Sequence, residues 1–343
     1  MKKTNLYVGI FIVLALLSIV GYKFYTGDLK CRFCDKTSTP AVAPVGESYM
    51  SIATGGTAGT YYAVGGALAA AVTKEGKIKC TAETGNASVA NTNLIATKGI
   101  EIAFVQNDIT YWAVKGQHMF AEGGPLKNVR AVASLYPEHL QMVITKESGI
   151  KEFTDLVGKR VGVGAPGSGT EGDVQALFDV AKLDKSYKDL KKADFLDFAG
   201  VTDRFKDEQI DAGFVVAGYP TTAIMDLTTT KKNVTLFSFD DAFLKKLNEQ
   251  YPFFVASTIP ANTYEGITND VKTPAVMAIL ITHADVSDDD IYNFLTAMYK
   301  NLDDVGAAHA KGKEITLEGA LDGLTAPLHP GAIKFYKEKG LLK

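Results

Sequence analysis

The sequence predicts an α/β protein of two similar lobes, and three observations carry that expectation. From residue 48 onward, apolar runs of strand length alternate with amphipathic helix-length stretches, the pattern of largely parallel sheets. Two glycine-rich turns, Thr54-Gly55-Gly56-Thr57-Ala58-Gly59-Thr60 and Gly164-Ala165-Pro166-Gly167-Ser168-Gly169-Thr170, each follow a strand-like run and open a helix-like one. A length of 343 residues with 46% hydrophobic content suits two lobes better than one long sheet.

At the N-terminus, Lys2-Lys3 precede an apolar run from Leu6 to Val20, the order of a secretory signal and close to the shortest membrane-spanning helix. Residues 1–30 are therefore expected to be a signal peptide or a hydrophobic anchor helix. No convincing cleavage site follows Val20, which favours an anchor over residues 6–22. Lysines at the start place the rest of the chain outside the cytoplasm, in the periplasm or on the extracytoplasmic face. Residues 31–47 form a linker rich in Pro, Thr, Ser and Ala. Its Cys31-Arg32-Phe33-Cys34 favours a local disulfide over a zinc site, because no second cysteine pair is present. Cys80 sits in an apolar run and is expected to be a buried thiol.

Strands are expected over 50–53, 78–81, 102–105, 129–135, 140–144, 161–163, 195–198, 213–216, 234–237, 253–257 and 276–281. Helices are expected over 61–72, 174–181, 205–209, 241–249 and 288–302. Leu135-Tyr136-Pro137-Glu138-His139-Leu140 is the expected crossing between lobes, with a return near Tyr251-Pro252-Phe253-Phe254-Val255; the prolines restrict both backbones. These crossings put residues 48–138 and 257–343 in one lobe and 139–256 in the other. A ligand cleft would lie between them, at the carboxyl ends of the strands.

A strand that turns through glycines into a helix leaves backbone N–H groups free and aims the positive helix end outward. Two such turns can grip one small acid, although each also serves as a tight connection needing no ligand. The second turn has the glycines of a nucleotide-binding loop, but Thr170 follows Gly169 directly and the phosphate-binding lysine is missing. The net charge of −3 gives no basic excess for nucleic acid. The five histidines lack metal-ligand spacing, and Ser168 lacks the G-x-S-x-G context of a nucleophile. No cofactor, metal or enzymatic activity is expected.

Thr54 to Leu68 closely resembles the opening motif of the TAXI family, the extracytoplasmic solute receptors of TRAP transporters. Phe104-Val105-Gln106-Asn107-Asp108, Leu135-Tyr136-Pro137-Glu138, Gly162 to Thr170, and Asp211-Ala212-Gly213-Phe214 continuing into Ala217-Gly218-Tyr219-Pro220 follow in the right order. The resemblance spans roughly residues 48 to 343. It implies a type II periplasmic-binding-protein fold with two lobes and two hinge strands. It also implies a receptor that closes on glutamate, glutamine or a 2-oxoglutarate-like acid and hands it to a membrane permease. The alternative is an anchored domain of the same fold that signals ligand occupancy to a partner.

The candidate ligand residues follow from turns and resemblance together. Gly56, Thr57, Thr60 and Tyr61 form the first set, against simple N-capping by threonine. Gly167, Ser168 and Thr170 form the matching set. Gln106 and Asn107 offer amides at a strand end. Asp108 is a candidate against a plain helix-start charge, and Tyr111 against a core role. Phe214, Gly218, Tyr219 and Pro220 resemble the family's second-lobe wall, with simple packing the alternative for Phe214. Glu138 in the crossing would repel an acid unless the ligand also carries an ammonium, which tilts the expectation towards an amino acid; a salt bridge is the alternative role.

Overall fold

The computed structural model describes residues 48–343; the expected anchor, the linker and the Cys31/Cys34 pair lie outside the described residues. In chain order the elements are β1 (Ser48–Ala53), α1 (Thr60–Lys74), β2 (Ile78–Glu83), α2 (Ser88–Ala96), β3 (Ile102–Gln106), α3 (Asn107–Lys115) and β4 (Val129–Thr145). Then come β5 (Arg160–Gly162), α4 (Gly169–Ala181), β6 (Lys192–Asp194), α5 (Phe198–Lys206), β7 (Ala212–Ala217), α6 (Thr222–Thr230) and β8 (Val234–Leu236). The chain ends with α7 (Asp241–Gln250), β9 (Val255–Ile259), β10 (Val271–His283), α8 (Asp288–Lys300), α9 (Leu302–Ala308) and α10 (Pro330–Glu338).

The strands run in the order β2-β1-β3-β10-β4-β7-β5-β6. β1 pairs in parallel with β2 and β3, and β5 with β6 and β7. β4 and β10 lie between these two parallel groups and pair antiparallel with each other and with both flanks. This is an α/β architecture of two lobes joined by two long strands.

Those strands belong to both lobes. The first half of β4 faces the C-terminal half of β10 beside β3, while His139 to Ile144 pair with β7. The register slips between Ala278 and Ile279, opposite Tyr136 and Ser134. A bulge at that point bends the strands where they pass from one lobe to the other. The runs 129–135 and 140–144 are thus one strand through Pro137, tolerated where no ladder N–H is required. The return crossing is made by β10, around Val276 opposite Glu138, and not by Tyr251 to Val255. The latter leads into β9, which pairs with β10, and Ile259, Tyr264 and Ile267 pack with Val143, Val201 and Val215.

Two other sequence expectations shift. The apolar run 195–198 is not a strand: β6 ends at Asp194, and Asp197 caps α5, its Oδ1 accepting from the Gly200 N–H at 2.8 Å. A carboxylate in that position satisfies a helix-end donor and starts the helix early, so α5 covers 198–206 in place of 205–209.

The cores follow the lobes. Ile52, Leu68, Phe104, Leu280 and Phe335 are fully or almost fully buried in the first, and Phe153, Phe178, Phe214 and Phe254 in the second. α3 is the exception. It continues from first-lobe β3, yet its Ile109 and Trp112 pack into the second-lobe core. Cys80 is buried, and burial pushes its thiol up to about 12, so it stays protonated and inert. Among the described residues no helix is long and apolar enough to cross a membrane.

Candidate functional site

Both glycine turns end at one cleft between the lobes. Four helices begin on its wall: α1 after Thr57 to Gly59, α2 after Asn86 and Ala87, α4 after Ser168, and α5 after Asp197. Among the described residues no lysine, arginine or histidine lines it. Positive charge for an anion could therefore come there only from helix ends and backbone N–H groups.

The two turns differ in how much of that potential they leave free. α1 begins after Gly59, which has no side chain to cap it, so its first N–H groups receive no side-chain acceptor. α4 is capped by Ser168, whose Oγ accepts from the Glu171 N–H at 3.2 Å and donates to the Ala165 carbonyl at 2.7 Å. Gly164 adopts a φ of +98°, and a Cβ there would lie 2.7 Å from the Glu171 nitrogen, so only glycine lets the turn fold back on its helix.

The lobes meet directly around the cleft. Thr60 Oγ1 donates to the Gly218 carbonyl at 2.7 Å, and the Ala223 N–H donates to the Ala58 carbonyl at 3.2 Å. Asn86 Nδ2 donates to the Pro166 carbonyl at 2.5 Å, and the Ala90 N–H donates to the Gly167 carbonyl at 3.0 Å. Gln106 Nε2 donates to Asp173 Oδ2 at 2.7 Å. A Cβ on Gly169 would fall 1.3 Å from Gln106 Oε1, so this glycine is what lets α4 approach β3.

Glu138 lines the cleft at the crossing between lobes, 2% exposed. Tyr61 Oη donates to its Oε2 at 2.6 Å. Burial, reinforced by Asp108, pushes the carboxyl up to about 8, against the opposing pull of the Tyr61 hydrogen bond and of Lys311. Burial of this kind disfavours the ionised form. A carboxyl raised in this way is drawn towards its neutral form, which weakens the expected repulsion of an acidic ligand.

Behind it, Asp108 on α3 and Asp173 on α4 are both fully buried. Both carboxyls lie above the ordinary range, first through burial, and in Asp173 also through repulsion by Asp108. Both oxygens of Asp108 are buried without a well-formed hydrogen bond, and burial of the two facing acids favours their neutral forms. His139 is also buried, its Nε2 2.9 Å from Ser257 Oγ, and burial drives it down to about 3. It brings no positive charge. Among the described residues no group of three or more His, Cys, Asp or Glu is placed to hold a metal ion.

Of the sequence candidates, Gly56, Thr57, Thr60, Tyr61, Gln106, Glu138, Ser168 and Thr170 lie together on the cleft wall. The others do not. Asn107 bridges the Gly323 carbonyl and the Met277 N–H, tying α3 to the hinge. Asp108 faces Asp173, and Tyr111 packs against Phe253. Gly167 spends its carbonyl on α2, and Phe214 is fully buried in the second-lobe core. Gly218 holds Thr60 through its carbonyl, Tyr219 lies under Lys311, and the carbonyl of Pro220, after a cis peptide bond, faces His309. Sequence reasoning missed Asn86, Ser88 and the segment Leu196 to Ala199. Only the N-capping type of Asp197 marked the last of these.

Two long antiparallel strands between two parallel groups, with helix starts converging on the cleft they share, define the site. The model of one protein family covers residues 52–340. The chain belongs to the NMT1-like family. Solved structures similar to this NMT1-like chain have the periplasmic-binding-protein fold. MatC of Rhodopseudomonas palustris with bound malate has 13% identity and a TM-score of 0.54, over 87% of this chain and 97% of that one. A binding protein component of an ABC phosphonate transporter from Pseudomonas aeruginosa has 11% identity and a TM-score of 0.52, over 77% and 78%. A protein of Bordetella bronchiseptica RB50 has 16% identity and a TM-score of 0.56, over 85% and 98%. At these identities the likeness is one of fold.

Proposed function

We propose that this NMT1-like protein is an extracytoplasmic solute-binding receptor that captures a small carboxylate by lobe closure and delivers it to a membrane permease. The observation that carries the reading is the uncapped N-terminus of α1 facing a cleft without a cationic side chain. Such a site favours an anion held by backbone N–H groups. Closure would turn on β4 and β10 near Glu138 and Val276, with residues from both sides of the crossing meeting over the ligand. A ligand touching both lobes binds the closed form better and shifts the population towards it.

The ligand proposed is glutamate, glutamine, 2-oxoglutarate or a similar acid, and the permease is of the TRAP type. Both follow from the resemblance of the Thr54–Leu68 stretch to TAXI receptors. Thr57 and the α1 N–H groups would take the carboxylate, and Phe198 would cover the carbon chain. Calorimetric titration of the purified protein with glutamate, glutamine, 2-oxoglutarate and succinate tests the reading. One-to-one binding of at least one acid is expected; no heat from any of the four at millimolar concentration contradicts it.

A further inference from the structure

Among the described residues Glu138 is the one acid that is buried, faces the cleft and lacks a cationic partner there. Its only hydrogen bond among the described residues is the one Tyr61 gives to Oε2, which leaves Oε1 to the cleft. The groups around it offer little positive charge. Tyr61 on α1 and Tyr136 on β4 are buried phenols pushed further up by Glu138 itself. Asp108 on α3 and Asp173 on α4 are acids, and β10 contributes apolar Val276 opposite. The one cation within range, Lys311, is held by both oxygens of Glu314 at 2.8 and 3.0 Å and lies 4.0 Å above the Tyr219 ring.

An anionic ligand entering this cleft would meet an unpaired buried carboxylate unless that carboxylate were neutralised. We propose that Glu138 takes up a proton from solvent as the lobes close on a carboxylate, its Oε1–H then donating a hydrogen bond to the ligand. Acid capture and proton capture become one event. This rests on the carboxylate-binding reading above and makes Glu138 the residue that sets its specificity. The proton comes from water and stays on Glu138; the ligand remains an anion, bound to a neutral acid and to the helix α1 N–H groups.

The sign follows from linkage. With the lobes apart Glu138 would face water and titrate in the ordinary carboxylate range; buried in the cleft between the lobes, it is raised to about 8. A group whose affinity for protons rises on closure favours the closed state at low pH and ceases to do so as pH climbs through the raised value. Affinity is therefore highest on the acid side. It falls about tenfold per pH unit through the window ending near pH 8.

Calorimetry of the full chain with glutamate and succinate at pH 7, in buffers of different ionisation heat, counts the protons. Close to one proton taken up per acid bound is expected, with Kd rising between pH 6 and 8. In Glu138→Gln the uptake should fall to near zero and the pH dependence flatten. Asp173→Asn should keep the uptake, which separates Glu138 from the acids behind it. Acid binding by the unmodified protein with no proton uptake, or with proton release, overturns the proposal even if the variants fail to fold. Loss of binding in a folded Glu138→Gln overturns it too, because Glu138 would then serve as a charged partner for an ammonium. If none of glutamate, glutamine, 2-oxoglutarate and succinate binds at any pH, the carboxylate reading falls and this proposal with it.

Discussion

The first glycine turn leaves its helix end open to the cleft, whereas the second closes on itself and on the opposite lobe. Gly59 gives α1 no side-chain cap. Ser168 caps α4, and the carbonyls of Pro166 and Gly167 are taken by Asn86 and the Ala90 N–H across the interface. Two turns of nearly the same composition thus do different work. One leaves its helix-end donors without a side-chain acceptor; the other supplies acceptors that hold the lobes together. What separates them is which polar backbone atoms remain unspent after the turn has formed, not how many glycines each contains.

The largest effect is expected where the second turn meets β3. Gly169→Ala puts a methyl group on Gln106 Oε1, while alanine suits the first turn of a helix better than glycine. Closure should suffer by about 1–3 kcal/mol of overpacking, read as a Kd raised about tenfold to a hundredfold. Unchanged affinity would mean that the lobes do not need this approach. Thr60→Ala removes the 2.7 Å bond to Gly218. It should weaken ligand binding by about 1 kcal/mol, the net worth of one hydrogen bond.

Ser168→Ala sharpens the contrast, because its hydroxyl is an intrahelical cap. Its main cost should be about 1 kcal/mol of folding stability, measured by denaturant titration. A loss in affinity with stability intact would restore the second turn as a ligand subsite. Asn86→Ala is the smallest change. It cuts one exposed bond to Pro166, with an expected cost below about 0.5 kcal/mol, so it should leave Kd within about twofold.

Much of the fold was legible in the sequence. Alternating apolar runs, glycine turns and the ordered motifs point to two α/β lobes, since strand and helix periods are local properties. The crossing was only half legible. Pro137 made one long strand look like two shorter ones. Nothing local distinguishes Tyr251 to Val255 from β10, because the hinge is defined by which strands pair with both lobes. The packing role of Phe214 could not be separated from a wall role because every residue of β7 is buried; with both faces covered, alternation carries no information about which one meets the cleft. Glu138 lies on the cleft, but its burial, which raises its carboxyl, depends on residues distant in sequence and could not be read locally.

The contrast between the turns is tested most directly by backbone amide shifts on isotope-labelled protein, titrated with the acid that binds in calorimetry. The account predicts the largest downfield amide proton shifts at Thr60 to Tyr62, where N–H groups would gain a charged acceptor, and small ones at Thr170 to Gly172. Larger shifts at Thr170 to Gly172 would contradict it and move the anion to the second lobe.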